Sequence, residues 1–237
     1  VGRDTNVRAR PGFGVLLASN RDRHVLIRLS RDGVSSAPLG TSTRGLPIRA
    51  FTLGSERPRI LVIGCIHGNE CAGSVVATRL LHARPPGRGS ITVVQDLNPD
   101  GHAAKRRGNA RGVDLNRNFP GSWRPIRSAG PEPASEVETR LAMQLIRRLR
   151  PDVTIWFHQP QGLVRAWGAS MPIARRYAQL AGMRFARLRR PPGTATAWQA
   201  GAMPASRSFV VELAPGELGI RAAGRYAGAI LRLSRAE

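Results

Sequence analysis

Residues 60–70 of the chain read ILVIGCIHGNE, and they indicate the fold class. Its first part, Ile60 to Cys65, is almost continuously apolar and β-rich, which is typical of a strand buried on both faces of a sheet. Apolar side chains then recur at helical spacing from Glu70 to His82. A buried strand followed at once by a helix predicts an α/β protein with a mainly parallel sheet.

The same alternation of strands and helices continues along the chain. Further strands are predicted at residues 48–53, 91–97, 153–157 and 209–213, and helices at about 135–150, 173–181 and 218–233. Ser135 and Glu138 have the spacing of a capping box at the start of the first of these helices. Residues 98–134 are rich in Gly, Pro, Asn and Arg and predict one long functional loop region. The pattern favours a single-domain three-layer sandwich, with a mixed, mainly parallel sheet and helices on both faces.

Three ionisable residues stand at the ends of predicted strands. His67 and His158 come after two apolar strands, and Glu212 lies near the end of a third. Ligands and catalytic groups gather beyond the carboxyl ends of strands in open α/β sheets. If the three strands are parallel, we expect the three side chains to converge at one edge of the sheet.

Two of these residues, with Glu70, match the donor set of a catalytic zinc site. A His₂Glu set made of His67, Glu70 and His158 leaves a fourth position open, and a metal there activates water. The alternative is structural, because a lone histidine after a strand is commonly a hydrogen-bonded core residue and an HxxE pair arises by chance. These residues alone leave both interpretations open.

A second cluster, residues 98–120, reads NPDGHAAKRRGNARGVDLNRNFP. With the HxxE pair before it and the strand-end His158 and Glu212 after it, this cluster resembles the zinc carboxypeptidase A-like metallopeptidase family. The likeness extends from about residue 38 to residue 233. The motif RGNARGVDLNRNFP is most similar to that of the bacterial murein peptide amidase branch. The resemblance implies a carboxypeptidase-like sheet of roughly eight strands.

The resemblance also implies a role for each matching residue. The metal ligands would be His67, Glu70 and His158, holding one Zn²⁺ ion, and the catalytic residues would be Glu212 as general base and Arg107 as oxyanion stabiliser. Asp114 would orient the ring of His67, a support that a metal-bound imidazole requires. Asn116 and Arg117 would bind a free carboxylate of the substrate. The alternatives are that Asp114 only caps a turn, that Arg107 is ordinary surface charge and that Glu212 is a buried, paired carboxylate.

Some features depart from the family pattern. Tyr177 is the only tyrosine between the third ligand and the general base, but it falls in a predicted helix, so no mobile tyrosine is assigned. Trp198 is a candidate wall residue instead. The specificity pocket is expected between Arg165 and Arg207. The HGNE wording also occurs in the succinylglutamate desuccinylase and aspartoacylase branch, whereas NPDG and GVDLNRNFP favour the peptidase branch.

The predicted function is zinc-dependent hydrolysis of an amide bond next to a free carboxylate in a peptide, with a cell-wall (murein) peptide as the preferred substrate. Metal-activated water would attack the amide, with Glu212 as general base. One alternative is an N-acyl-amino-acid deacylase of the succinylglutamate desuccinylase/aspartoacylase type. Another is a non-catalytic wall-binding protein. The intact ligand set and Glu212 argue against the non-catalytic alternative.

The formal net charge of +22 bears on partners. All but one of the 37 basic residues are arginines, the exception being Lys105, and they are spread along the whole chain. No nucleic-acid signature accompanies them, so nucleic acid is not an expected partner. The charge favours anionic material such as cell-wall polymers, and a secreted or envelope location is preferred to the cytoplasmic alternative. No apolar run approaches the ~18 residues of a membrane span, and the oligomeric state is open.

Two further features are left open. Cys65 and Cys71 flank the HxxE pair, and their spacing does not decide whether they form a disulfide. Residues 1–37 are the least regular part of the chain, and we expect them to be an N-terminal extension before a catalytic domain at residues 38–237.

Overall fold

The fold is known from a computed structural model, which describes residues 15–16, 27–29, 33–189 and 192–235. The described residues form one ten-stranded sheet. Its strands are β1 (Val15–Leu16), β2 (Ile27–Leu29), β3 (Val34–Thr41), β4 (Pro47–Leu53), β5 (Pro58–Ile63), β6 (Ser90–Val94), β7 (Val153–His158), β8 (Leu163–Ala166), β9 (Arg184–Arg187) and β10 (Arg207–Glu212). The eight strands β3 to β10 match the number implied by the resemblance, and the short β1 and β2 extend one edge.

The sheet is mixed with a parallel centre, as predicted. Its order is β1-β2-β3-β4-β6-β5-β7-β10-β8-β9. The four central strands β6, β5, β7 and β10 are parallel, while β4 and β8 flank them antiparallel. Parallel neighbours need crossover connections, and the helices of the chain provide them.

Helices cover both faces of the sheet. They are α1 (Gly73–Leu81), α2 (Pro99–Ala103), α3 (Val137–Leu149), α4 (Met171–Ala181), α5 (Ala195–Ala202) and α6 (Ile220–Arg235). Ile60 and Val62 of β5 pack in one core with α1, α4 and α6, whereas Leu61 and Ile63 pack in the other with α3 and α5. Successive residues of a strand point to opposite faces, so this alternation produces the three-layer sandwich. No helix within the described residues has both the length and the apolar character to cross a bilayer.

Helix α3 forms where the sequence predicts it, but the capping box does not. Glu136 takes the N-cap position without a side-chain cap hydrogen bond. Instead, Glu138 is fully buried and accepts from the backbone N–H of Thr43 at 3.0 Å and from the side-chain amide of Asn109 at 3.1 Å. The glutamate faces the protein interior, where distant donors compete successfully for its oxygens.

The predicted boundary between an extension and a catalytic domain stays a prediction. β3 runs from residue 34 to residue 41, across the proposed division, and pairs with β2 on one side and β4 on the other. Most of the remaining residues of the proposed extension lie outside the described part of the chain.

Candidate metal centre

Three neighbouring parallel strands carry the predicted ionisable residues to one edge of the sheet. His158 is the last residue of β7 and Glu212 the last of β10, and the two are paired in register. His67 follows four residues after β5, the strand on the other side of β7. All three line a pocket of about 280 Å³. The convergence predicted from the strand ends is therefore found in the structure.

The three predicted ligands meet at their donor atoms. His67 Nδ1 lies 2.9 Å from Glu70 Oε2. His158 Nδ1 lies 3.1 Å from His67 Nδ1 and 3.2 Å from Glu70 Oε2. Bonds of about 2.0–2.1 Å to a tetrahedral Zn²⁺ would separate neighbouring ligand atoms by about 3.3 Å. The spacing of the three donors is close to that value.

Asp114 determines which nitrogen of His67 faces the other ligands. Its carboxylate lies 2.9 Å from His67 Nε2 and can only accept, so Nε2 carries the proton in the neutral ring. His67 Nδ1 then presents a lone pair towards a carboxylate oxygen of Glu70 and a nitrogen of His158. While His67 is neutral, three electron-rich atoms held this close repel one another unless a cation lies between them. The donor set thus fits a divalent cation.

Burial and hydrogen bonding act differently on the two histidines. Burial lowers the pKa of His158 to about 4, even though the Glu70 carboxylate opposes the change. Burial also acts to lower the pKa of His67, but hydrogen bonds to Asp114 and Glu70 outweigh it and raise this pKa. A neutral His158 is the form that can bind a metal.

Glu212 lies in the same pocket with an unsatisfied oxygen. Its Oε2 is buried and has no hydrogen-bond partner among the described residues. Burial raises the pKa of Glu212, and the negative charge of Glu70 raises it further. A buried carboxylate without a full set of partners is costly to maintain, and such groups are concentrated at functional sites.

The predicted substrate-binding residues come from the loop after NPDG. Asp114 caps the short 3₁₀ helix at residues 115–117 by accepting from the backbone N–H of Asn116 at 2.9 Å. Asn116 Oδ1 accepts from the backbone of Ala195 at 3.0 Å, and Arg117 Nη1 donates to the carbonyl of Asn116 at 2.8 Å. Both Asn116 and Arg117 line the pocket.

Arg107 also lines the pocket, and it is already bound to two acidic groups. Its Nη1 donates to Glu70, and its Nε donates to Asp114 at 2.9 Å. The guanidinium therefore lies beside the metal donors. Its side chain is still 45% exposed, so solvent and a substrate can reach it.

Arg165, for which the sequence motifs predict no role, also lies at this site. It lies on β8 opposite Val210 of β10, and both residues line the pocket together with Glu212. Its Nε is buried and has no hydrogen-bond partner among the described residues. The sequence offered one sign of this role, because Arg165 lies in an otherwise apolar short strand soon after His158. The chain contains so many arginines that this one did not stand out.

The region between Arg165 and Arg207 does contribute to the pocket, through Leu188, Thr194 and Thr196. The suggestion that Trp198 forms a wall is wrong. Trp198 is 4% exposed and packs against Phe119 with ring centroids 5.7 Å apart, in the core on the α3 face of the sheet. Tyr177 is fully buried in α4 beside Phe209.

Comparison with known proteins supports a common family. The model of the succinylglutamate desuccinylase/aspartoacylase catalytic domain matches residues 56–225. Murein peptide amidase A of Escherichia coli K12 is 33% identical over 139 residues, and its Vibrio campbellii counterpart is 28% identical over 149 residues. These alignments cover 51% and 55% of this chain, and 57% and 60% of the two relatives. In these alignments the chain thus spans about three fifths of the length of these relatives.

Solved structures extend the likeness over most of the fold. The murein-tripeptide amidase of Escherichia coli O157 superposes with a TM-score of 0.70 at 26% identity, covering 85% of this chain and 92% of that one. Carboxypeptidase A of Helicoverpa armigera gives a TM-score of 0.71 at 16% identity, covering 86% and 68%, a likeness of fold alone. The chain belongs to the succinylglutamate desuccinylase/aspartoacylase catalytic-domain family, among the zinc carboxypeptidase-like proteins and near the murein peptide amidases.

Proposed function

We propose that the protein hydrolyses an amide bond next to a free carboxylate in a peptide, with a cell-wall (murein) peptide as the preferred substrate. The observation that carries the proposal is the meeting of three electron-rich metal donors with a proton-accepting carboxylate in one pocket. His67, Glu70 and His158 would hold one Zn²⁺ ion. When bound, such an ion polarises a carbonyl group and makes water more acidic.

Glu212 is the proposed general base. It would take a proton from the attacking water and later deliver that proton to the leaving amine. Burial and the charge of Glu70 raise the pKa of Glu212, which suits a group that must accept a proton and then release it. Its position at the end of β10, next in register to His158, supports this assignment.

Arg107, Asn116 and Arg117 are the proposed partners of the negative charges on the substrate. Arg107 lies beside the metal donors, where an oxyanion would develop during attack. Arg117 and Asn116 would bind the free carboxylate, and a planar guanidinium is suited to this bidentate contact.

Arg165 adds a second guanidinium to the part of the pocket next to the base. Arg165 lines the pocket, and its positive charge acts on Glu212 to lower the pKa that burial raises. The same charge favours a substrate with a further acidic group near the cut bond. A residue such as diaminopimelate, which has two carboxylates, meets this requirement better than an ordinary C-terminal residue. This is the structural support for a murein-type peptide, together with the named relatives.

A deacylase of the succinylglutamate desuccinylase/aspartoacylase type is the second candidate, and the matching family model favours it. Such an enzyme would use the same donors on small acylated amino acids. Arg165 fits acylated acidic amino acids as well. The non-catalytic alternative, a wall-binding protein, is supported only by the net charge of +22.

A substrate panel tests the proposal. The purified protein is incubated with muropeptides ending in diaminopimelate, with ordinary peptides, with C-terminally amidated peptides and with acyl amino acids, each with and without a chelator. We expect chelator-sensitive cleavage of the muropeptides and poor cleavage of the amidated peptides. Cleavage of acyl amino acids alone would favour the deacylase, and the absence of turnover on every substrate would favour a binding protein.

A further inference from the structure

A second group of potential metal ligands lies beside the candidate active site. Within the described residues, four side chains each place one possible ligand atom in this group, and these four atoms all lie within 4.8 Å of one another. The four residues are Cys65, Cys71, Asp96 and His102. Cys65 comes two residues after β5, and Asp96 two residues after its parallel neighbour β6. The group therefore sits at the same edge of the sheet as the proposed zinc donors, one strand further out.

The oxygen and nitrogen donors of this group are already held together. His102 Nδ1 lies 2.6 Å from Asp96 Oδ2, and the other carboxylate oxygen accepts from the backbone N–H of Asn98 at 2.9 Å. Cys65 is fully buried, whereas His102 is 48% exposed. Cys71 and His102 both line a cleft of about 550 Å³, so an ion has a path from solvent.

The two sulfur atoms control whether this site exists. In the structure Cys65 and Cys71 form a disulfide, with their Cα atoms 4.7 Å apart. A thiolate is the form that binds metal. A dithiol reductant would supply two electrons and two protons, giving two cysteine thiols and the oxidised reductant.

We propose that the reduced protein binds a second Zn²⁺ ion through Cys65, Cys71, Asp96 and His102, and that the disulfide form does not. Two sulfurs, one nitrogen and one oxygen make a four-ligand set that suits tetrahedral Zn²⁺ and releases the two thiol protons on binding. With four protein ligands the ion would be structural. It would fasten the ends of β5 and β6 to the turn that carries His67 and Glu70.

Cobalt binding distinguishes this site from the catalytic one. Co²⁺ bound to thiolates shows a charge-transfer band in the near ultraviolet, which a His₂Glu site cannot give. We expect two Co²⁺ ions per chain and this band in protein reduced with a phosphine, and one ion and no band in protein oxidised with diamide. The band reports the thiolate group alone, whereas the first ion belongs to the proposed centre of His67, Glu70 and His158. Failure of this inference can therefore be told from failure of the proposed function.

Variants assign the ligands. We expect Asp96→Ala/His102→Ala to lose the band and the second ion while keeping the first, and Cys71→Ser to do the same. His82→Ala, which changes an exposed histidine after α1, is the matched control and should behave like the wild type. The proposal is overturned if reduced, folded protein binds one ion without the band. It is equally overturned if the double variant keeps the band at full strength.

Discussion

At the level of single residues, Asp114 connects the candidate metal donors with the loop of the proposed substrate-binding residues. Its carboxylate accepts from the ring of His67, from the backbone N–H of Asn116 and from the guanidinium of Arg107. Together with His67, Arg107 keeps the pKa of Asp114 well below the usual range although burial opposes this. One anionic group thus orients a metal donor, a binding residue and the proposed oxyanion partner.

Replacement of the proposed base tests its role directly. Glu212→Gln keeps the size of the side chain but removes its ability to accept a proton. We expect turnover to fall by about 10² or more, the usual contribution of general acid–base catalysis, with the metal content unchanged. Steady-state kinetics and elemental analysis on the same sample provide the measurement. Activity equal to that of the wild type would assign the base to another residue.

The protonation of Glu212 gives a separate prediction. Burial and the charge of Glu70 raise its pKa, so in metal-free protein the carboxyl group should keep its proton to a higher pH than an ordinary glutamate. Added Zn²⁺ should lower this pKa, because a nearby dication favours the carboxylate. Carbon NMR of the side chain, assigned with Glu212→Gln, follows both changes. A titration like that of an exposed glutamate would contradict the buried position.

Arg165 should determine preference for acidic leaving residues. Arg165→Gln keeps hydrogen-bond donors but loses the charge, so kcat/KM should fall mainly for substrates with a second carboxylate. Loss of a charged hydrogen bond of about 1.5–3 kcal/mol corresponds to roughly 10- to 150-fold. Matched peptides ending in Glu and in Gln measure the difference. The control is Arg207→Gln, which changes the first residue of β10, at the opposite end of that strand from Glu212. Equal losses on both peptides would speak against a specificity role.

At the scale of secondary structure elements, the two motifs of the sequence meet through their backbones. Gly68 belongs to the turn between β5 and α1, and Gly101 belongs to α2. A Cβ atom added at Gly68 would lie 1.9 Å from the carbonyl carbon of Gly101. The close approach of the two segments therefore requires a glycine at position 68. The turn that carries His67 and Glu70 packs directly against α2.

Gly68→Ala should separate these two segments. Overpacking typically costs about 1–3 kcal/mol, occasionally more, and the shift should also weaken metal binding because His67 and Glu70 flank the glycine. Gly87→Ala is the matched control, since an added Cβ there would meet nothing within 4 Å. Urea unfolding and zinc titration of both variants test the expectation. Equal stability of the two variants would mean that the turn can adapt.

At the scale of the whole molecule, the candidate metal centre links strands that are far apart in sequence. His67 and His158 are separated by 91 positions, yet their facing nitrogens are 3.1 Å apart. Without a cation, only hydrogen bonds to Glu70 hold the two histidine nitrogens together. A bound ion should therefore stabilise the folded protein over the unfolded chain, which has no preformed site.

Metal removal should lower the thermal stability of the protein. Zinc present at 100 times its dissociation constant contributes about 2.7 kcal/mol, and for a chain of this size each kcal/mol corresponds to a Tm change of about 2–4 °C. We expect dialysis against a chelator to lower Tm by roughly 5–10 °C on these values, and added Zn²⁺ to restore it. Differential scanning calorimetry measures the change, and His67→Ala should show no response. An unchanged Tm after verified zinc removal would contradict this coupling.

Local patterns determined the fold class and the candidate residues of the site. The apolar strands at residues 60–65, 153–157 and 209–213 predicted a buried parallel centre, and polar residues at their ends predicted where a site would form. Both follow from short-range patterns, because a strand buried on both faces is mainly apolar and an unpaired ionisable side chain is costly in its interior.

Features that depend on contacts between distant segments emerge only in the folded chain. Glu138 and Trp198 have roles other than those predicted, because each contacts residues that are distant in the sequence. The Cys65–Cys71 disulfide depends on the path of the turn between the two cysteines. Arg165 could not be separated from the other arginines by composition. Its position across from Val210, in the pocket of Glu212, is set by the antiparallel pairing of β8 with β10, which no local pattern specifies.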